Sequence, residues 1–281
     1  MSNFETLLTI LQELEVKTQQ AREALGKFHA AIEMSQSSSV PAASAFGDLV
    51  MAPTAEEEIV DGEETDDFPD CCAVGNDEGY FCSGTLVAPK VVITADHCPD
   101  IKRVYLRGKD VSRSDDGETI AVVKEIVHPE LDFKILILKD ASRVKPRRIA
   151  TLEEANTATT VMLAGFGTVD LNGRIGYGLK RKLPYEIPIT SLACDDANAP
   201  KLHGCMPGRE IVAGQRGMRR DSCRGDSGGP LYIRGADGEY CLLGATSRGV
   251  RSAFTICGDG GIYVRVDLCR DWILDETGEA L

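Results

Sequence analysis

Positive charge is in short supply in this chain. Its 31 lysines and arginines face 44 aspartates and glutamates over 281 residues, giving a net charge of -13 and a pI near 4.8. A nucleic acid partner needs a basic face to neutralise phosphate, so that class of function is set aside. The acidic surplus reads as a solvated surface, with the addition that an acidic rim would attract basic substrates. Histidine is scarcer still, with four in all. His29 falls in a helical pattern, His128 in a His-Pro turn and His203 in a polar loop. None of them has metal-ligand spacing, so neither a metal nor a cofactor is expected. A basic opening is also missing. Met1-Ser2-Asn3-Phe4-Glu5 has no positively charged n-region, and the apolar residues that follow are interrupted by charge. Neither a secretory signal nor a membrane span is expected there, and the expected location is the cytoplasm.

Two segments of different character precede the main body. Over residues 1–34, Leu7, Leu8, Leu11, Leu14, Val16, Ala21, Leu25, Phe28 and Ile32 recur at helical spacing among Glu, Gln and Lys, which predicts an amphipathic helix or a bent helical pair. Its apolar face either packs on the rest of the chain or serves to dock a partner or a second copy. Residues 35–58 carry serines, alanines, two prolines and a closing acidic run, the composition of a flexible linker. Beyond it, 28 glycines in the whole chain fit many short strands joined by turns, so the body is expected to be mostly β.

The stretch richest in chemistry is Gly225-Asp226-Ser227-Gly228-Gly229-Pro230. Glycines around a serine let the backbone take turn conformations closed to bulkier residues, leaving the N–H groups of Gly225 and Ser227 to face a reacting carbonyl oxygen. Alone, such a run is a common loop. Two other segments answer it. Val91-Val92-Ile93-Thr94-Ala95-Asp96-His97-Cys98 delivers a histidine at the end of a β-branched run, and Leu131-Asp132-Phe133-Lys134-Ile135-Leu136-Ile137-Leu138 opens an apolar strand with an aspartate. A serine hydroxyl needs a base near neutral pH. Imidazole titrates in that range, and a carboxylate fixes its tautomer and stabilises the imidazolium. His97, Asp132 and Ser227 supply the three parts.

These segments, in the order histidine, aspartate, serine, resemble the serine peptidases of the trypsin/chymotrypsin family, and the likeness runs from Ile59 to about Trp272. Ile59-Val60-Asp61-Gly62 is similar to the mature N-terminus, Phe81-Cys82-Ser83-Gly84-Thr85-Leu86 to the strand with the first bridging cysteine, and Ala164-Gly165-Phe166-Gly167 to the inter-barrel segment. Gly261-Ile262-Tyr263-Val264-Arg265-Val266 and Asp271-Trp272-Ile273 resemble the last strand and the start of the closing helix. The resemblance implies an all-β protein of two packed antiparallel barrels. The body would be residues 59–281, with barrel one at about 59–165, barrel two at about 166–265 and a closing helix at about 266–275.

It further implies a serine endopeptidase acting on protein or peptide substrates, with Gly225 and Ser227 forming the oxyanion hole. Asp221 falls at the base of the primary pocket, Ser247 and Gly249 on the substrate-pairing edge, and Gly249 and Gly261 where the pocket must stay open; together they imply cleavage after Arg or Lys. Release of Ile59 would let its amine pair with Asp226, so the uncut chain would be a zymogen. The residue before that cut is Glu58, preceded by Glu57 and Glu56, where a basic residue is usual, which argues against self-activation and for either a protease of different specificity or partner binding that orders the site without a cut.

Implied bridges are Cys82–Cys98, Cys223–Cys257 and, more loosely, Cys194–Cys205, because Val212 stands where the usual partner would fall. Cys71, Cys72, Cys241 and Cys269 have no implied role. Ten cysteines suit an oxidising compartment, in tension with the cytoplasmic expectation. Three further residues depart from the pattern. Asp61 replaces a glycine, Asp96 replaces an alanine beside His97, and Arg248 stands in place of a tryptophan, where it would either favour acidic side chains upstream of the cut or simply be solvated. The alternative to an enzyme is a silent, protease-like binding module working through its helix.

Overall fold

The computed structural model describes residues 62–279 apart from 114, 171 and 173. The helical extension, the linker and Ile59 therefore lie outside the described residues.

Six strands close the first barrel: β2 (Cys71–Asn76), β3 (Gly79–Ala88), β4 (Val91–Thr94), β5 (Arg103–Leu106), β6 (Glu118–Val127) and β7 (Lys134–Leu138). All pairings are antiparallel, in the order β2-β3-β4-β7-β6-β5. The β-branched run Val91, Val92 and Ile93 is buried along its whole length and lies opposite Ile137, Leu136 and Ile135. A short continuous apolar run of this kind is what a strand covered on both faces requires.

The second barrel is a ring of six made by β8 (Thr160–Gly165), β10 (Ile187–Ser191), β11 (Glu210–Ala213), β14 (Gly261–Arg265), β13 (Tyr240–Gly249) and β12 (Pro230–Arg234), with β12 pairing back onto β8. Two-residue strands β9 (Arg181–Lys182) and β1 (Glu63–Glu64) extend the free part of β8. The barrel boundary expected near residue 165 is corrected: β8 belongs to the second ring, and the crossover runs between Leu138 and Thr160. Ring closure by β12, some seventy residues downstream, is a non-local pairing that local patterning does not register.

Three short helices punctuate the described residues. Helix α1 (Leu152–Thr157) starts with a capping box in which Thr151 and Glu154 satisfy one another's backbone N–H groups. Helix α2 (Ala199–His203) ends at Gly204 with φ 82°, so His203 closes a helix rather than lying in a polar loop. A 3-10 turn (Val266–Cys269) leads into α3 (Arg270–Thr277), the closing helix. His128 packs edge-on against Trp272 of α3, with ring centroids 4.7 Å apart, and its Nδ1 accepts the N–H groups of Glu130 and Leu131.

The crossover carries a buried ionic clamp between the barrels. Asp70, fully buried just before β2, accepts Arg147 Nη2 at 2.5 Å and the Tyr232 hydroxyl at 2.7 Å, while Arg147 Nη1 reaches the Tyr240 carbonyl at 2.9 Å. Its guanidinium lies 5.2 Å from the Tyr232 ring centre. Removing Arg147 strands a buried carboxylate, so Arg147→Met is expected to destabilise the fold by about 3 kcal/mol in urea unfolding, whereas Arg147→Met combined with Asp70→Asn recovers most of that loss.

Candidate active site

Each of the three candidate residues is delivered by the end of a buried element. β4 ends at Thr94, and three residues on is His97, tied down by the Cys82–Cys98 bridge. Asp132 lies just before β7, in register beside β4. Ser227 sits in the tight turn preceding β12. Two glycines make that turn feasible: Gly225 at φ 94° and Gly228 at φ 75° both occupy the left-handed region. A Cβ on Gly225 would fall 2.5 Å from the Tyr177 ring, and one on Gly228 would collide with Thr94 Oγ1.

The side chains meet in a line. His97 Nδ1 lies 2.8 Å from Asp132 Oδ2 and 3.0 Å from Oδ1, and Nε2 lies 2.8 Å from Ser227 Oγ. An ionised carboxylate only accepts, so the proton is on Nδ1 and Nε2 is left as the acceptor for the serine hydroxyl. Asp132 also accepts the His97 backbone N–H at 3.0 Å and the Ser247 hydroxyl at 2.6 Å. Burial pushes Asp132 up, but the donors of His97 and Ser247 outweigh it and hold the carboxyl down at about 2. Asp100 pairs with Lys102, and among the described residues the hydrogen bonds of the imidazole go to Asp132 and Ser227 rather than to Asp96.

The turn around Ser227 is strapped from the first barrel. Ser83, fully buried in β3, donates its N–H to the Ser227 carbonyl at 2.9 Å and its hydroxyl to the Gly225 carbonyl at 2.9 Å. Thr94 Oγ1 donates to the Ser83 carbonyl at 2.7 Å, tying the histidine strand to the same strap. The roles of Ser83 and Thr94 escape sequence reading, since small polar residues in strands are common. Among the described residues the N–H groups of Gly225 and Ser227 meet no protein acceptor.

Asp226 is buried, its oxygens accepting Gly167 N–H at 2.9 Å and Cys223 N–H at 2.8 Å. Burial raises it to about 6 in spite of those amides. It borders a narrow gap, too small for a water, lined by Leu163, Ala164, Ser222 and Thr246. Its expected counterpart, Ile59, lies outside the described residues.

Asp221 is 2% exposed, and its two oxygens accept Gly258 N–H at 2.5 Å and Gly260 N–H at 2.6 Å. Two backbone donors thus meet this carboxylate in the absence of any guest. Burial still dominates and lifts Asp221 to about 7. The Cys223–Cys257 bridge joins the two loops involved. Gly249 and Gly261 face one another across the β13–β14 ladder, so neither puts a side chain into the gap between those strands. A Cβ on Gly261 would fall 2.6 Å from the Tyr263 hydroxyl.

Ser247 is buried, and its hydroxyl holds Asp132. Arg248, though partly exposed to solvent, forms a two-pronged pair with Glu210 at 2.7 and 2.8 Å. The Cys194–Cys205 bridge forms without any cysteine at Val212, and the thiols of Cys71, Cys72, Cys241 and Cys269 are free and buried.

Comparison with known proteins gives the same picture over the same residues. The family model described as Trypsin matches residues 59–273. A curated protein named Trypsin, from Saccharopolyspora erythraea, is 30% identical over 78% of this chain and 97% of its own length. Hypodermin-B from Hypoderma lineatum is 27% identical over 84% of this chain and 94% of its own. Among solved structures, neuropsin, a serine protease expressed in the limbic system of mouse brain, superposes with a TM-score of 0.63 at 26% identity, covering 76% of this chain and 98% of that one. Two six-stranded antiparallel barrels with a serine, a histidine and an aspartate in contact where they pack, and a family match spanning both barrels, make this chain a member of the trypsin family of serine endopeptidases.

Proposed function

We propose that this chain hydrolyses peptide bonds after arginine or lysine through an acyl-enzyme on Ser227, and that a cut before Ile59 makes it competent. The observation that carries the reading is the hydrogen-bonded line from Asp132 through His97 to Ser227, 2.8 Å at both joints. His97 Nε2 takes the hydroxyl proton as Ser227 Oγ attacks the scissile carbonyl, and the imidazolium formed is held by Asp132. The N–H groups of Gly225 and Ser227 receive the oxyanion. His97 then passes its proton to the leaving amine, and water repeats the attack on the ester.

Specificity is assigned to Asp221. A substrate guanidinium or ammonium reaching it supplies the charge that two neutral amides do not, and this is the interaction that separates arginine and lysine from uncharged side chains.

Activation is assigned to Asp226. A buried carboxylate whose hydrogen bonds come from two backbone amides, with the Arg181 charge a lesser influence, gains from a paired cation, and the α-amine of a freed Ile59 is the cation the family likeness points to. Pairing would lower Asp226 from about 6 and fix the turn that carries the oxyanion donors. The acidic residues Glu56, Glu57 and Glu58 assign the cut to a protease of other specificity. The amphipathic extension over residues 1–34 is assigned to docking a protein partner or a second copy.

The test is hydrolysis of an arginine peptide amide by the full chain before and after cleavage at Glu58-Ile59. Cleavage is expected to raise kcat/KM by about 10²–10³, the worth of ordering an oxyanion donor. Equal rates before and after would remove the switch, and no hydrolysis in the cut chain would remove the enzymatic reading.

A further inference from the structure

We propose that Arg248, anchored by Glu210, is a positioning residue for the reaction, holding the Ser247 hydroxyl so that its single proton stays on Asp132. This rests on the assignment of His97, Asp132 and Ser227 as the reacting line.

Arg248 Nη1 lies 3.0 Å from Ser247 Oγ. A guanidinium has donors only, so Ser247 Oγ must accept from it, and its one proton is left for another acceptor. That acceptor is Asp132 Oδ2 at 2.6 Å, the same oxygen that faces His97 Nδ1 at 2.8 Å. The ionised Asp132 draws that proton, and the arginine holds the hydroxyl oxygen from the other side, so that Ser247 Oγ is fixed between a donor and an acceptor. The direction of donation is set along the whole line from Glu210 through Arg248, Ser247, Asp132 and His97 to Ser227.

The arginine is itself immobilised. Glu210, 1% exposed on β11, grips both ends of the guanidinium, and Nη2 also donates to the Gly204 carbonyl at 2.9 Å. Glu210 Oε2 further accepts the Met206 N–H at 2.7 Å. Gly204 and Met206 flank Cys205, whose bridge to Cys194 holds this segment against the barrel. Forked pairing of this kind is specific to arginine and resists rotation. Because Glu210 neutralises the guanidinium, its contribution to Asp132 is orientation of a donor rather than net charge.

The experiment uses the chain cut before Ile59, with active sites counted by a fluorophosphonate so that rates refer to competent molecules. Arg248→Met, and Arg248→Met with Glu210→Gln to avoid a stranded buried charge, are made in the native and Ser247→Ala backgrounds. With Ser247 present, kcat is expected to fall about tenfold, the worth of one hydrogen bond to a charged group, with KM changed less than about twofold. In the Ser247→Ala background the arginine change should cost less than about twofold. The downfield proton resonance of His97 Nδ1–H should also move in the arginine variants, which a purely structural fork would not produce. The same fractional loss in both backgrounds, a rise in KM at constant kcat, or an unmoved resonance would each overturn the proposal. Failure of the native cut chain to react with the fluorophosphonate would instead overturn the triad assignment on which it rests.

Discussion

Ser227→Ala is expected to lower kcat for peptide hydrolysis by about a millionfold, and His97→Ala by a comparable factor, with the double variant scarcely worse than either alone. The geometry dictates the non-additivity. Nε2 has one hydrogen-bonding partner in this site, Ser227 Oγ at 2.8 Å, so the base has nothing to deprotonate once the hydroxyl is gone. Loss of the base leaves a hydroxyl whose proton has no place to go near neutral pH. Residual hydrolysis above the uncatalysed rate should persist in all three variants, since the Gly225 and Ser227 backbone N–H groups and the pocket are untouched. Single-turnover kinetics on an arginine ester and on the matching amide measures these factors. Independent, multiplying losses would mean that His97 and Ser227 do not act as a unit.

The second large effect is at Asp221, the proposed floor of the primary pocket. Asp221→Asn is expected to reduce kcat/KM on arginine and lysine substrates by about 10³ while leaving small uncharged substrates nearly unaffected, because only a cationic guest loses a charge partner. An accompanying pH signature distinguishes this carboxylate from any other. Asp221 is raised to about 7 with no guest present, and under the proposed specificity a cationic guest binds its ionised form. As pH falls below about 7 a proton must be displaced before the guest can enter, so the Kd of a small amidine should rise about tenfold per pH unit; above that pH it should level off. Calorimetric titration of an amidine between pH 5 and 8 reads this directly. In Asp221→Asn the slope should vanish, leaving a weak and pH-independent Kd. A flat profile in the native protein would show that the two amide donors keep Asp221 ionised throughout.

How far the site could be read from the chain follows from where each part is encoded. His97, Asp132 and Ser227 are each flagged within about eight residues, by a β-branched run, an apolar run opened by an acid and a glycine-wrapped turn, and such local signals survive folding unchanged. Asp221 was legible as a position, but its partners were not: the amides of Gly258 and Gly260 come from a loop some forty residues downstream and carry no side-chain signature. The link between Glu210 and Arg248 was hidden for the same reason, as two ordinary charges become a fork only when β11 and β13 both pair with β14. Ser83 was visible inside a family segment, yet its double grip on the Ser227 turn depends on the packing of one barrel on the other. The assignment of β8 to the second barrel failed at the sequence level because closure by β12 is non-local. The helical periodicity of residues 1–34 falls outside the described residues.

The claim at the centre of this account is that Ser227 is the acylated nucleophile. Mass mapping of the chain cut before Ile59, after reaction with a fluorophosphonate, tests it most directly. The account predicts a single adduct on the peptide containing Ser227, absent in folded Ser227→Ala and slowed in His97→Ala. An adduct on any other residue, or none on the folded, cut chain, would contradict it.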